Sequence, residues 1–161
     1  MNFLKIAEEI LKLTQSSGFK INVEVIPHNK QRYNTTGDYW TDEKGVIQFR
    51  ISKMSKEVYE WLVLLHEMKE FFLVKMTGIS EEKIYKFDIK FEEDKKKGLH
   101  SEEDEPGDEK DAPYYKQHNI ATADERELCG LLNIAWKDYE DECNRLTKSW
   151  KHNRKRELRS N

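Results

Sequence analysis

Cysteine is scarce in this chain. Cys129 and Cys143 are the only two in 161 residues, too few for a disulfide framework. They also lack a Cys-x-x-Cys spacing, which argues against a zinc site built on thiolates and for a reducing, cytoplasmic setting. Long apolar runs are missing as well. No stretch reaches the ~18 consecutive apolar residues that a membrane-spanning helix needs, and acids as early as Glu8 and Glu9 argue against a secretory signal. Nor does charge of one sign dominate. With 28 Lys+Arg against 31 Asp+Glu the net charge is -3, which makes neither nucleic acid nor a membrane surface the default partner. Charge itself is abundant, at 37% of residues against 37% hydrophobic, which predicts a heavily charged surface around a modest core. The length suits one domain rather than two.

The most informative stretch runs from Trp61 to Leu73. Val58, Trp61, Leu65, Met68 and Phe72 follow steps of three and four, which predicts an amphipathic helix with that stripe buried. His66 and Glu70 are four apart and therefore stack one turn above each other, while Glu67 is rotated by about a quarter turn. An imidazole and a carboxylate one turn apart can grip one metal ion, with the adjacent carboxylate in reach of its water. This is the His-Glu-x-x-His helix with its last ligand changed to glutamate, which zinc also accepts. The same five residues also suit a helix with a core-edge histidine and two solvated glutamates.

Around that helix the chain reads in order. Phe3, Leu4, Ile6, Ala7, Ile10, Leu11 and Leu13 predict a short amphipathic packing helix closed by Gly18. Ile21, Val23 and Val25 alternate with polar residues and predict a half-buried strand stopped by Pro27, with His28 in a solvated loop. Tyr39-Trp40 and Ile47, Phe49 and Ile51, separated by turn signals, predict a hairpin with a short edge strand. Such an edge can add a peptide strand, or be blunted by Arg50 and Lys53. Ser55 is the expected N-cap of the central helix and Gly78 its C-terminal cap. Ile84 to Phe91 alternates and reads as a strand, with no role for Asp88.

From Glu92 to Asp111 ten acids and four lysines give a local charge of -6, the composition of a mobile, solvated acidic loop that includes His100. A helix is then expected from about His118 to Trp136. His118 and Glu125 lie two turns apart on one face, and Ala121 and Thr122 between them allow close approach to the central helix. Asp138 to Trp150 continues as helix. Residues 148–161 form a basic tail with six Lys or Arg in the twelve residues from Lys148 to Arg159, which can touch nucleic acid or simply balance acids elsewhere.

With both helices in view, the chain resembles a minimal zincin-type metallopeptidase core. More closely it resembles a group of small phage and bacterial proteins with three recognisable pieces: a Leu-x-x-His-Glu-x-x-Glu helix, a Glu-Pro-Gly-Asp loop, and an Ala-Pro-Tyr…His-x-x-Ala-Thr-x-x-Glu helix. Here these are Val63 to Glu70, Glu105 to Asp108, and Ala112-Pro113-Tyr114 through His118 to Glu125. The resemblance covers roughly residues 37 to 140, and the departure from His-Glu-x-x-His leaves peptidase activity open. It implies an α+β fold, a minimal zincin-like domain over 1–147 with a small twisted sheet, a central metal-binding helix and C-terminal helices. It implies His66, Glu70 and His118 as metal ligands, with Glu125 as an alternative ligand or as the acceptor of a spare imidazole N–H. Glu67 would be the general base on a metal-bound water, in a zinc or other divalent-metal hydrolase acting on a peptide or protein. Two other readings stay open. One is a non-catalytic, metal-stabilised interaction module, phage-encoded, that binds a host protein. The other is a nucleic-acid-associated protein that uses the basic tail.

Overall fold

A computed structural model describes residues 18–101 and 103–157, with side chains through Trp150. The expected helix over residues 3–13 lies outside the described residues, as do the side chains of the tail beyond Trp150. Three strands come first: β1 (Lys20–Ile26), β2 (Gly37–Thr41) and β3 (Val46–Ser52). Four helices follow: α1 (Glu57–Met76), α2 (Glu81–Lys96), α3 (Tyr115–Leu131) and α4 (Trp136–Glu157). Strands first and helices after make this an α+β chain. Among the described residues no helix is long and apolar enough to cross a membrane.

The sheet has the order β1-β3-β2. The predicted hairpin is present as the antiparallel pair of β2 and β3, while β1 joins the other side of β3 in parallel. Ile47, Phe49 and Ile51 of β3 point inward and pack on Leu62, Val63 and Leu64 of α1, with Cys129, Tyr139 and Leu146 closing the core from α3 and α4. Phe71 of α1 meets Tyr39 and Phe49 edge to face at ring separations of 5.4 and 5.8 Å and ties the sheet to α1. Parallel pairing sets Ile21, Val23 and Val25 of β1 beside those β3 residues. They are exposed rather than half-buried among the described residues, where α1 lies mainly over β2 and β3.

Helix α1 starts one residue later than its sequence suggests. Lys56, not Ser55, holds the N-cap position and makes no side-chain cap. The Ser55 N–H instead donates to Glu142 of α4 at 2.9 Å, and Glu60 accepts from the Met54 N–H at 3.0 Å. The other end behaves as expected. Gly78 sits at φ 72°, and the Gly78 and Ile79 N–H groups return to the Lys75 and Val74 carbonyls.

Three expectations are corrected. The segment Ile84–Phe91 is helical, not a strand, and α2 also takes in Glu92–Lys96. Ser80 caps it by accepting from the Lys83 N–H, Glu81 and Glu82 suit its positive end, and Gly98 at φ 79° follows it. Its buried residues Ile84, Phe91 and Lys95 follow a helical period, and Tyr85 and Ile89 are exposed. The helix expected through Trp136 breaks at Asn133, which adopts φ 55° and lets the Ile134 N–H bond the Cys129 carbonyl. His28 is buried, not solvated: its Nδ1 meets Ser52 Oγ at 2.9 Å and its ring stands edge-on to Trp150.

The largest correction concerns which face of α1 is inside. Of the stripe expected inside, Val58 and Met68 are half-buried against the core, but Trp61, Leu65 and Phe72 are 53%, 45% and 55% exposed, and Met76 extends that outer stripe. The buried face carries Tyr59, Leu62, Val63, Glu70 and Val74, with His66 beside them. Sheet and α3 between them claim the face that holds the histidine and the glutamate.

Candidate metal centre

Helices α1 and α3 lie side by side, with Ala121 of α3 fully buried between them. This close approach brings His118 down onto His66 and Glu70. His118 Nδ1 lies 2.9 Å from Glu70 Oε2 and 3.3 Å from His66 Nε2, and His66 Nε2 is 3.7 Å from Glu70 Oε2. The three donor atoms thus form a triangle capable of holding a metal ion. Glu125 stands behind it rather than in it, with Oε2 at 3.3 Å from His66 Nδ1.

Each member is anchored on its far side. The Tyr39 hydroxyl donates to Glu70 Oε1 at 2.9 Å. Glu125 Oε1 accepts a short hydrogen bond from the Tyr139 hydroxyl. His118 Nε2 faces Asp108 Oδ1 at 3.5 Å and Glu105 Oε2 at 3.9 Å. Asp108 ends the 3-10 turn Pro106–Asp108 and Glu105 precedes it, inside the stretch read as a solvated loop, where Gly107 is buried.

Burial and charge set the protonation of these groups. Burial alone pushes Glu70 up, but hydrogen bonds from His118 and His66 outweigh it and hold the carboxyl at about 2. Burial pushes His118 down, yet Asp108 and Glu70 raise it to about 10. His66 is likewise raised, against burial, by Glu125 and Glu70. Glu67 differs from the rest. No hydrogen bond holds its side chain among the described residues. Burial, followed by the charge of Glu70, lifts its pKa well above the carboxylate range. Its carboxylate lies against Gly37, where an added Cβ would come within 3 Å of both Glu67 and Val63. Only glycine fits the start of β2 while Glu67 points inward.

A second group of carboxylates lies close by. Asp38 takes a bidentate pair from Arg32, at 2.6 and 2.8 Å, and accepts from the Tyr33 hydroxyl. Asp88, given no role from the sequence, accepts from the Tyr114 hydroxyl at 2.9 Å. Burial raises it to about 7 even though that bond opposes the shift.

Sequence reasoning missed Tyr39, Tyr139, Gly37, Asp38 and Asp88. The Glu-Pro-Gly-Asp piece drew attention to Gly107 and Asp108 without giving either a task. A tyrosine hydroxyl aimed at a carboxylate from another element leaves no mark on local spacing. The chain matches no family model, no curated protein and no solved structure, so the geometry stands on its own.

Proposed function

We propose that the protein is a metal-dependent hydrolase of metallopeptidase type on a zincin-like domain. In this reading His66, Glu70 and His118 hold a divalent cation, zinc by preference, and Glu67 is the general base. The observation that carries it is the donor triangle of 2.9, 3.3 and 3.7 Å. A tetrahedral ion with ligands at ~2.0–2.2 Å asks for ligand separations of roughly 3.3–3.6 Å, so little rearrangement is needed. Two nitrogens and one carboxylate also leave a fourth position open, the mark of a catalytic rather than a structural site.

A cation held there would supply Lewis acidity to a substrate carbonyl and acidify water. The remaining work belongs to the chain. Glu67, which makes no side-chain hydrogen bond among the described residues, is the group placed to take a proton from attacking water and return it to a leaving amine, once the charge of a cation offsets the burial and the Glu70 charge that raise its pKa. Glu125 and Tyr139 fix the His66 ring, and Tyr39 fixes Glu70, so that the donor atoms keep their directions.

Zinc binding and cleavage of a quenched fluorescent peptide library test this together. Glu67→Gln should keep the metal and lose ~10²–10⁴-fold in turnover, while His66→Ala should lose both. Undiminished cleavage in Glu67→Gln would remove Glu67 from the chemistry. A wild-type chain that binds no divalent ion would sink the whole reading. One observation favours the second reading, a non-catalytic interaction module: the exposed stripe of Trp61, Leu65, Phe72 and Met76 on α1. That reading expects peptide turnover from neither the wild type nor Glu67→Gln, with metal still bound.

A further inference from the structure

We propose that Asp108 is a positioning residue for His118. The Pro106–Asp108 turn holds the imidazole so that its Nε2 faces the Asp108 carboxylate and its Nδ1 is turned to the corner shared with Glu70 and His66, where it would present a lone pair to a cation. This deepens the metal-site reading and rests on it.

The two histidines of the triangle present different atoms, His66 its Nε2 and His118 its Nδ1. Rotating the His118 ring by half a turn would put carbon where Nδ1 now stands, so something must select one orientation. Glu70 selects from the inside. From the outside the turn confines the ring through Gly107 and selects its orientation through Asp108. Gly107 is pressed against the ring, and a Cβ there would come within 2.5 Å of Cγ, 2.6 Å of Nδ1 and 2.9 Å of Cδ2. His118 is 8% exposed, so its ring has no free space to retreat into. Asp108, the next residue, sets Oδ1 at 3.5 Å from Nε2, nearer than Glu105 Oε2 at 3.9 Å.

The turn is itself tied down. The Asp108 N–H bonds the Glu105 carbonyl, the Glu109 N–H bonds Pro106, and the Ala112 N–H bonds Glu109 on the way into α3. The backbone of the turn, and with it Gly107, is therefore fixed relative to His118, while the Asp108 side chain reaches the ring from the solvent side. A carboxylate that accepts the outer N–H of a ligating imidazole fixes its tautomer and raises its basicity, an effect of ~10–100-fold in metal affinity.

The same atoms admit a rival use. Glu105, Asp108 and His118 Nε2 lie close enough to hold a cation of their own. That would need Nε2 free of its proton: with the inner triangle also filled it predicts two ions per chain, and with the inner triangle empty it predicts one ion that depends on Glu105 as much as on Asp108.

Zinc titration against a chromophoric chelator, on the full chain, separates these outcomes. Asp108→Ala should bind ~10–100-fold more weakly at unchanged stoichiometry. Asp108→Asn, which keeps an oxygen acceptor without the charge, should recover much of that loss. An equal loss in Glu105→Ala would overturn the proposal, since the effect would then be general negative charge. So would unchanged affinity in Asp108→Ala, or two ions per wild-type chain falling to one in that variant. Nitrogen-15 spectra of the His118 ring give a readout that does not depend on zinc. The Nε2 proton should exchange slowly in the wild type and rapidly in Asp108→Ala, with metal or without. If zinc does not bind but this proton is protected by Asp108, the metal reading fails and the clamp stands. If the proton is unprotected in the wild type, the clamp fails.

Discussion

Helix α1 has two apolar faces, and the comparison between them is instructive. The outer face carries Trp61, Leu65, Phe72 and Met76, the larger and more hydrophobic set, and is exposed among the described residues. The inner face mixes Leu62, Val63 and Val74 with His66 and Glu70, and is buried. A helix that needed only a core would bury the tryptophan and the phenylalanine. Desolvating ionisable groups costs several kcal/mol for each charge unless partners offset it. The inner face is tolerable because its charges answer one another: His66 with Glu125, His118 with Glu70, and tyrosine hydroxyls on the remaining carboxylate oxygens. Burial has gone to the chemically demanding face, and that is why the inner face is read as a site.

The sharpest way to break this comparison is to truncate one residue on each face. Leu62→Ala should cost ~2–5 kcal/mol in urea unfolding, the penalty of a core cavity. Trp61→Ala should cost less than about 1 kcal/mol, as for surface changes. Equal costs would show that the outer stripe is covered in solution.

A smaller effect sharpens the electrostatic half. The folded-state pKa of Glu70 is depressed from 4.5 to about 2, so its contribution to the metal-free protein is full above pH 4.5 and is lost as pH falls toward 2. His118 is raised from 6.5 to about 10, so its contribution is full below pH 6.5 and is lost as pH rises through 10. Stability of the metal-free chain should therefore peak between those limits and fall by roughly 1–3 kcal/mol on either side. His118→Gln should flatten the alkaline limb. An alkaline limb identical to the wild type would remove the His118–Glu70 pair from the account.

The smallest effect has the opposite sign. Asp88 has no cationic partner among its named bonds, and burial raises it from 3.8 to about 7. Its folded form binds the proton more tightly than the unfolded form, so stability is lost as pH rises from 3.8 through 7. Asp88→Asn keeps an acceptor for the Tyr114 hydroxyl and removes the charge. It should raise stability by about 1–2 kcal/mol at pH 8 and leave it unchanged near pH 3.5, by thermal or urea melts. Lower stability at pH 8 would mean that the Asp88 charge is needed where it stands.

The hairpin and the pairing of His66 with Glu70 were readable because each rests on short-range pattern, whereas His118 joined them through the resemblance and the small residues of its helix. Alternation marks Ile47, Phe49 and Ile51, a step of four joins His66 to Glu70, and small residues let α3 approach. Where two patterns coexist, sequence gives no choice. Trp61-Leu65-Phe72 and Leu62-His66-Val74 both repeat helically, and only the placement of β3 and α3 decides between them. The run Tyr85-Phe87-Ile89-Phe91 alternates by coincidence, while Ser80 and Gly98 at its ends carried the truer signal. Tyr39, Tyr139 and Asp108 act across 31, 14 and 10 residues of chain, beyond any local window. His28 was misplaced for the same reason, because its neighbour Trp150 arrives from the far end of the chain.

His118 meets Glu70 across 48 residues of chain. That separation gives the site a place in time. His66 and Glu70 are neighbours as soon as α1 forms, on the scale of a helix, but His118 arrives only after α2, the Pro106–Asp108 turn and α3 have closed a long loop. By the length of chain closed, the triangle comes after the hairpin and α1 but before α4, whose Asn34–Thr147 and Ser55–Glu142 contacts span 113 and 87 residues. Anything that recognises all three corners, ion or inhibitor, distinguishes a chain folded through α3 from every less complete one.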